Sequence, residues 1–249
     1  MAEIIAFASG KGGTGKSTAA ANIGAALAKL GENVLLLDMD MGQPSLDAYL
    51  GVTDKASWNL LDVFENSCTI RQAILPVRAC NGLSVIPASA IRGPELLNTG
   101  RLRKFLEVLD SGFDRVLMDL PPGSRAPYGS AVALADRTIF VSTQDRVSAL
   151  AVKRMADSME ERARMRSCVI LNRVRTDLVK LHELPPAEEA AAAAGLPVLG
   201  IIPEDVEILL ADEAGAHCVN LPTKGCAAFL RIARRLRGEH VKIRLTEKG

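Results

Sequence analysis

The octet GKGGTGKS, residues 10–17, restricts what this 249-residue chain can fold into more than any other feature. Gly10, Gly15, Lys16 and Ser17 satisfy G-x-x-x-x-G-K-[ST]. The octet follows the apolar run Ile4 to Ala8 and precedes an alanine-rich stretch in which Ile23, Leu27 and Leu30 recur at helical spacing before Gly31. A strand, a glycine-rich turn and a helix in that order are the context a phosphate-binding loop requires. Glycines at 10, 12, 13 and 15 let the backbone enter conformations closed to other residues, so successive amide N–H groups can converge on one anion. The helix beginning near Ser17 adds its positive end. Lys16 is then placed to reach β and γ phosphates, Ser17 to ligate Mg²⁺, and Thr18 to meet the α phosphate.

The rest of the chain supplies a scaffold for such a loop. Short apolar runs at Ile4–Ala8, Val34–Leu37, Leu83–Ile86, Arg115–Met118, Thr138–Val141, Cys168–Leu171 and Val198–Ile202 alternate with helical patterns. Runs this continuously apolar predict strands buried on both faces. The fold class expected is therefore α/β, a doubly wound and mostly parallel sheet with helices on both sides. Such sheets bind ligands at the carboxyl ends of their strands. No linker or composition shift divides the chain, which predicts one domain over residues 1–237 and a short basic tail over 238–249.

Acids arrive at the same edge. VLLLDMD, residues 34–40, ends a strand in Asp38 and Asp40, which point the same way if the strand persists. RVLMDLPPG, residues 115–123, delivers Asp119 and follows it with the stiff turn of Pro121, Pro122 and Gly123. VILNR, residues 169–173, places Asn172 just past a strand, and IIPED, residues 201–205, does the same for Pro203, Glu204 and Asp205. An amide can pair with both donor and acceptor edges of adenine, although an asparagine or aspartate at such a position is also an ordinary helix cap.

Lys11 is not needed by a generic phosphate loop. KGGTGKST, however, resembles the deviant Walker A motif of the MinD/ParA family, in which a second lysine is the signature. The resemblance covers roughly residues 2–237, making the expected fold that of a P-loop NTPase. LSVIPAS at 83–89, the PED loop and the start directly at the first strand resemble the MinD branch.

The resemblance implies a slow, partner-activated ATPase that binds ATP and Mg²⁺ and forms a face-to-face homodimer. In it Lys11 reaches the partner's nucleotide and Lys16 serves its own. It implies Asp38 near the metal, Asp40 orienting the attacking water, Asp119 as the Walker B acid, and Asn172 with the PED loop at the base. For the MinD branch it further implies a cytoplasmic protein that settles peripherally on the inner face of the membrane. There it would recruit a MinC-type inhibitor under the cue of MinE or a topological factor. Within residues 38–47, DMDMGQPSLD keeps the acids, Gly42, Leu46 and Asp47 of the MinD pattern but replaces its middle, which bears on partner choice.

Composition weighs on the alternatives. Thirty basic and 29 acidic residues leave a net charge of +1, so no global field draws the chain to nucleic acid or anionic lipid. Residues 231–249 nonetheless carry seven Lys or Arg and two Glu, a local surplus of five. This stretch would serve either an anionic membrane surface or, in a ParA-like partition ATPase, DNA. A flagellar-number regulator is a further relative of this kind.

Phe229, Ile232, Ala233 and Leu236 share one helical face, expected to pack on the sheet layer rather than on lipid. Beyond them Val241, Ile243 and Leu245 alternate as in a strand, unlike the amphipathic helix usual in MinD proteins. The five cysteines include no C-x-x-C pair and none shortly after Asp119. This favours reduced thiols over an iron–sulfur carrier, with Cys218 and Cys226 as buried small hydrophobes.

Overall fold

The computed structural model describes residues 2–91, 97–109, 112–181, 183–184 and 186–243. The seven apolar runs become strands β1 (Glu3–Ala8), β2 (Val34–Asp38), β4 (Leu83–Ile86), β5 (Arg115–Asp119), β6 (Arg137–Thr143), β7 (Ser167–Val174) and β8 (Val198–Pro203). An unanticipated two-residue strand, β3 (Leu75–Pro76), pairs antiparallel with β4 at the sheet's edge. Two residues give no periodicity to read, and an edge is where a strand tolerates proline.

The order is β3-β4-β2-β5-β1-β6-β7-β8, with every pair except β3 and β4 parallel. The chain leaves β1 to build β2 and β4 on one side, returns through β5, then builds β6 to β8 on the other. That reversal opens a crevice at the carboxyl end of β1, where doubly wound sheets hold ligands.

Apolar cores fill both faces, as strands without a wet side demand. On one face α1 (Lys16–Lys29) packs between the sheet and the helix Lys224–Leu236, joining Ile23 and Leu27 to Phe229 and Ile232. Small residues in α1 allow a close approach: a Cβ on Gly24 would sit 3.3 Å from a Leu83 methyl and 3.4 Å from methyls of Leu36 and Leu117. The other face is covered by helices Thr99–Leu109, Tyr128–Leu134, Arg146–Asp157 and Ala187–Ala194. Gly31 and Gly195 end their helices with φ of 93° and 68°, which side-chain-bearing residues avoid.

Two sequence expectations are corrected. Asn172 lies within β7, opposite Thr143, because the strand continues to Val174. Asp40 lies outside β2, which ends at Asp38, so its direction is set by the following turn rather than by strand alternation. As expected, Phe229, Ile232, Ala233 and Leu236 are buried against α1 and the sheet, so this face is closed to lipid.

The basic surplus near the C-terminus is also partly spent internally. Arg234 pairs with Glu239, and Arg237 with Glu239 and Glu32. Arg235 donates to the carbonyls of Leu199, Val241 and Lys242. Leu245 and the rest of 244–249 lie outside the described residues. Among those described, no helix is long and apolar enough to cross a membrane.

Candidate functional site

The turn after β1 brings the octet over the N-terminus of α1. Gly13 and Gly15 take φ of 77° and 80°, the left-handed region glycine makes accessible. A Cβ on Gly12 or Gly13 would meet nothing within 4 Å, whereas one on Gly10 would lie 2.5 Å from Ala151 Cβ. The outer loop therefore borders open space while its base is wedged against the helix Arg146–Asp157. Neither a side-chain cap nor an acidic residue sits in the first turn of α1, so the helix itself supplies no partner for its positive end. Thr14 is buried, and its hydroxyl oxygen has no hydrogen-bond partner. An open cradle, an uncapped helix and an orphaned buried hydroxyl together fit a phosphate chain.

Below the cradle lies a compact charged cluster. Lys16 Nζ is 2.5 Å from Asp119 Oδ1, with the two side chains 6% and 0% exposed. Ser17 donates its hydroxyl to Asp119 Oδ2 at 2.6 Å. Asp38 stands opposite Asp119 in the β2–β5 register and is also fully buried. Burial, then repulsion from Asp119, pushes the Asp38 carboxyl up to about 7, against the opposing effect of N–H donors from Ser45, Leu46 and Asp40. Those donors, at 2.9, 3.0 and 3.0 Å, show Asp38 anchoring the loop that follows β2. Burial likewise raises the half-buried Asp40, with Lys16 pulling the other way. Asp40 faces Pro121, Pro122 and Arg125 across a cavity of about 180 Å³. Ser17, Asp38 and Asp119 thus offer oxygens, the donor type Mg²⁺ prefers, on one side of the loop.

The two lysines part company. Lys11 is exposed and lies 3.2 Å from both carboxylate oxygens of Asp145, which also caps the helix Arg146–Asp157 through Ser148 N. Hydrogen bonds from Thr143, Ser148 and Lys11 hold Asp145 below the usual carboxylate range despite the effect of its burial. Sequence reasoning missed Asp145, which lies beyond the predicted strand Thr138–Val141 and past the observed strand end at Thr143.

A cavity of about 350 Å³ opens beside Gly15 and Thr18. Asn172, Pro203, Glu204 and Asp205 line it, so β7 and β8 bring the expected base-side residues together. Their contacts differ from expectation. Asn172 Nδ2 donates to the Thr14 carbonyl at 2.8 Å, bracing the phosphate loop, and a Cβ on Gly15 would come within 2.2 Å of that nitrogen. Asp205 caps the helix Val206–Glu213 and accepts from Glu207 N and Gly225 N, so its carboxylate is committed to the fold. Glu204 pairs with Arg175. Thr18 donates to Asp212, a residue with no motif to announce it. The five cysteines are free; Cys218 and Cys226 are fully buried in the core beneath α1.

Comparison with known proteins agrees with this fold. A septum site-determining protein MinD from Synechocystis is 34% identical over 244 residues, spanning 97% of this chain and 91% of that protein. The structure of the MinC:MinD cell division protein complex from Aquifex aeolicus superimposes with a TM-score of 0.88 at 30% identity, covering 98% of each chain. That of MinD complexed with Mg-ADP from Pyrococcus horikoshii gives 0.82 at 27% identity, covering 95% of this chain and 96% of that one. Residues 5–217 match the model of the CobQ/CobB/MinD/ParA nucleotide binding domain, and the chain belongs to that family.

Proposed function

We propose that this protein is a MinD-like ATPase switch whose domain, residues 1–237, dimerises around ATP and Mg²⁺ and helps place the division septum through a MinC-type inhibitor. The observation that carries the switch is the separation of the two loop lysines. Lys16 is buried beneath its own cradle, while Lys11 stands exposed at the rim, tethered among the described residues to Asp145. An exposed cation beside an anion cradle is available to a second cradle brought face to face with it. The relatives named MinD and the Aquifex MinC:MinD complex support the biological assignment.

The chain's own groups account for slow hydrolysis. Loop amides and the α1 terminus bind the phosphates, and Lys16 exchanges Asp119 for the β and γ oxygens. Asp119 and Ser17, with Asp38 behind them, would hold Mg²⁺, which when bound would supply positive charge against that developing on the transferred phosphoryl group. Asp40, beside the Pro121–Pro122 turn, orients the attacking water. Lys11 from the partner completes the charge around the γ phosphate, so the rate depends on the dimer. A MinE-like or topological partner sets that rate in the cell, and the dimer doubles the number of basic C-terminal segments available to the inner membrane surface, strengthening a weak tether by avidity.

Light scattering with ATP·Mg²⁺ against ADP·Mg²⁺ tests the switch. The dimer should form with ATP only and be lost in Lys11→Ala while nucleotide binding persists. A chain that stays monomeric at saturating ATP overturns the proposal. Depletion in the native cell, scored for minicells against lost plasmids, tests the septum assignment.

A further inference from the structure

The cavity beside the phosphate loop contains a group that the roles above leave unused. Asp212, on the helix Val206–Glu213, lines it with Gly15, Thr18, Asn172 and Arg173. Its Oδ2 accepts the Thr18 hydroxyl at 2.8 Å, while its Oδ1 is buried without a hydrogen-bond partner. A buried carboxylate oxygen in that state is costly unless something donates to it. Burial raises the Asp212 pKa, opposed by the Thr18 bond and the Arg173 charge.

Hydrogen-bond inventory sharpens the point. A threonine hydroxyl has one proton to donate. If Thr18 gives it to an α phosphate, Oδ2 of Asp212 loses its donor and neither carboxylate oxygen has one, and phosphate, being an acceptor, cannot supply it. A nucleotide carries neutral donors in two places, the amino group of its base and the hydroxyls of its sugar. The sugar is one ester linkage from the α phosphate, and Asp212 is one hydrogen bond from the residue that meets that phosphate. The sugar hydroxyls are therefore the donors nearest to the vacated carboxylate.

We propose that Asp212 reads the sugar of the bound nucleotide, accepting a hydrogen bond from a ribose hydroxyl and making the site selective for nucleotides that carry the sugar hydroxyls over analogues that lack them. The inference rests on the nucleotide-binding role of the phosphate loop. Asp212 does not act on the phosphates; its effect is on which nucleotide is held. A site with a buried acceptor for a hydroxyl discriminates strongly against the analogue lacking it, because the acceptor is then left unpaired.

Titration calorimetry on the full chain with ATP and 2′,3′-dideoxy-ATP, each with Mg²⁺, tests this. ATP should bind on the order of tenfold more tightly. Asp212→Ala should bring the two affinities close together, chiefly by weakening ATP, and Asp212→Asn, which keeps an acceptor, should retain part of the preference. Equal affinities in the unmodified protein, or a preference that survives in Asp212→Ala, would overturn the assignment. Should Asp212→Ala fail to fold, the unmodified protein's affinity ratio still decides. Binding of neither nucleotide would overturn the phosphate-loop reading together with this one, an outcome distinct from equal binding of both.

Discussion

Replacing Lys16 by methionine should destabilise the nucleotide-free protein as well as weaken nucleotide binding. Methionine keeps most of the side-chain length but removes the ammonium paired with Asp119 in the buried cluster, 2.5 Å away. Asp119 then keeps the Ser17 hydroxyl as a partner while facing fully buried Asp38 across the β2–β5 register. Removing one member of a buried ion pair costs about 3–5 kcal/mol. For a chain of this size about 2–4 °C of melting temperature follows each kcal/mol, so the midpoint should fall by roughly 6–20 °C.

Thermal unfolding without nucleotide, followed by circular dichroism, reads this directly. The double variant Lys16→Met/Asp119→Asn should recover most of the loss, since the asparagine oxygen still accepts from Ser17 and the unpaired charge is gone. Millimolar Mg²⁺ should stabilise Lys16→Met more than the unmodified protein, because the cation substitutes for the missing ammonium and binds the folded state. A midpoint within about 2 °C of the unmodified protein, with no recovery in the double variant, would refute the view that Lys16 compensates these carboxylates before any ligand arrives.

Gly10→Ala should destabilise by about 1–3 kcal/mol, because its Cβ would lie 2.8 Å from the Ala151 carbonyl carbon, while Gly12→Ala, with open space around it, should leave the melting midpoint nearly unchanged. A thiol-specific maleimide should label the half-buried Cys68 first in the native protein, since Cys80, Cys168, Cys218 and Cys226 are buried, and peptide mapping will show the order. Arg235→Ala should speed hydrogen exchange around residues 241–243, whose carbonyl anchors to the last helix it removes, with little change in the central strands.

Much of the scaffold was legible because its signals are local. Buried strands such as Val34–Asp38 are short continuous apolar runs, and α1 repeats its apolar residues at helical spacing. The phosphate loop is one uninterrupted stretch whose glycines answer a backbone requirement, so its chemistry could be named from eight letters. Asn172 was harder. Strand β7 continues through an asparagine and an arginine to Val174, and polar residues in a strand read as its end. The PED loop's acids looked alike in sequence, yet Asp205 caps a helix and Glu204 meets Arg175.

By itself, then, the sequence determined the α/β layering, the loop that binds phosphate and the family to which the chain belongs. The tertiary structure alone decided the partners: Asp119 for Lys16, Asp145 for Lys11, Asn172 for the Thr14 carbonyl and Asp212 for Thr18. These contacts join residues 103 to 194 positions apart. Periodicity and motif spacing report on neighbours within a turn or a strand. Which distant strand ends share an edge depends on the order β5-β1-β6-β7-β8, and packing across the whole sheet sets that order.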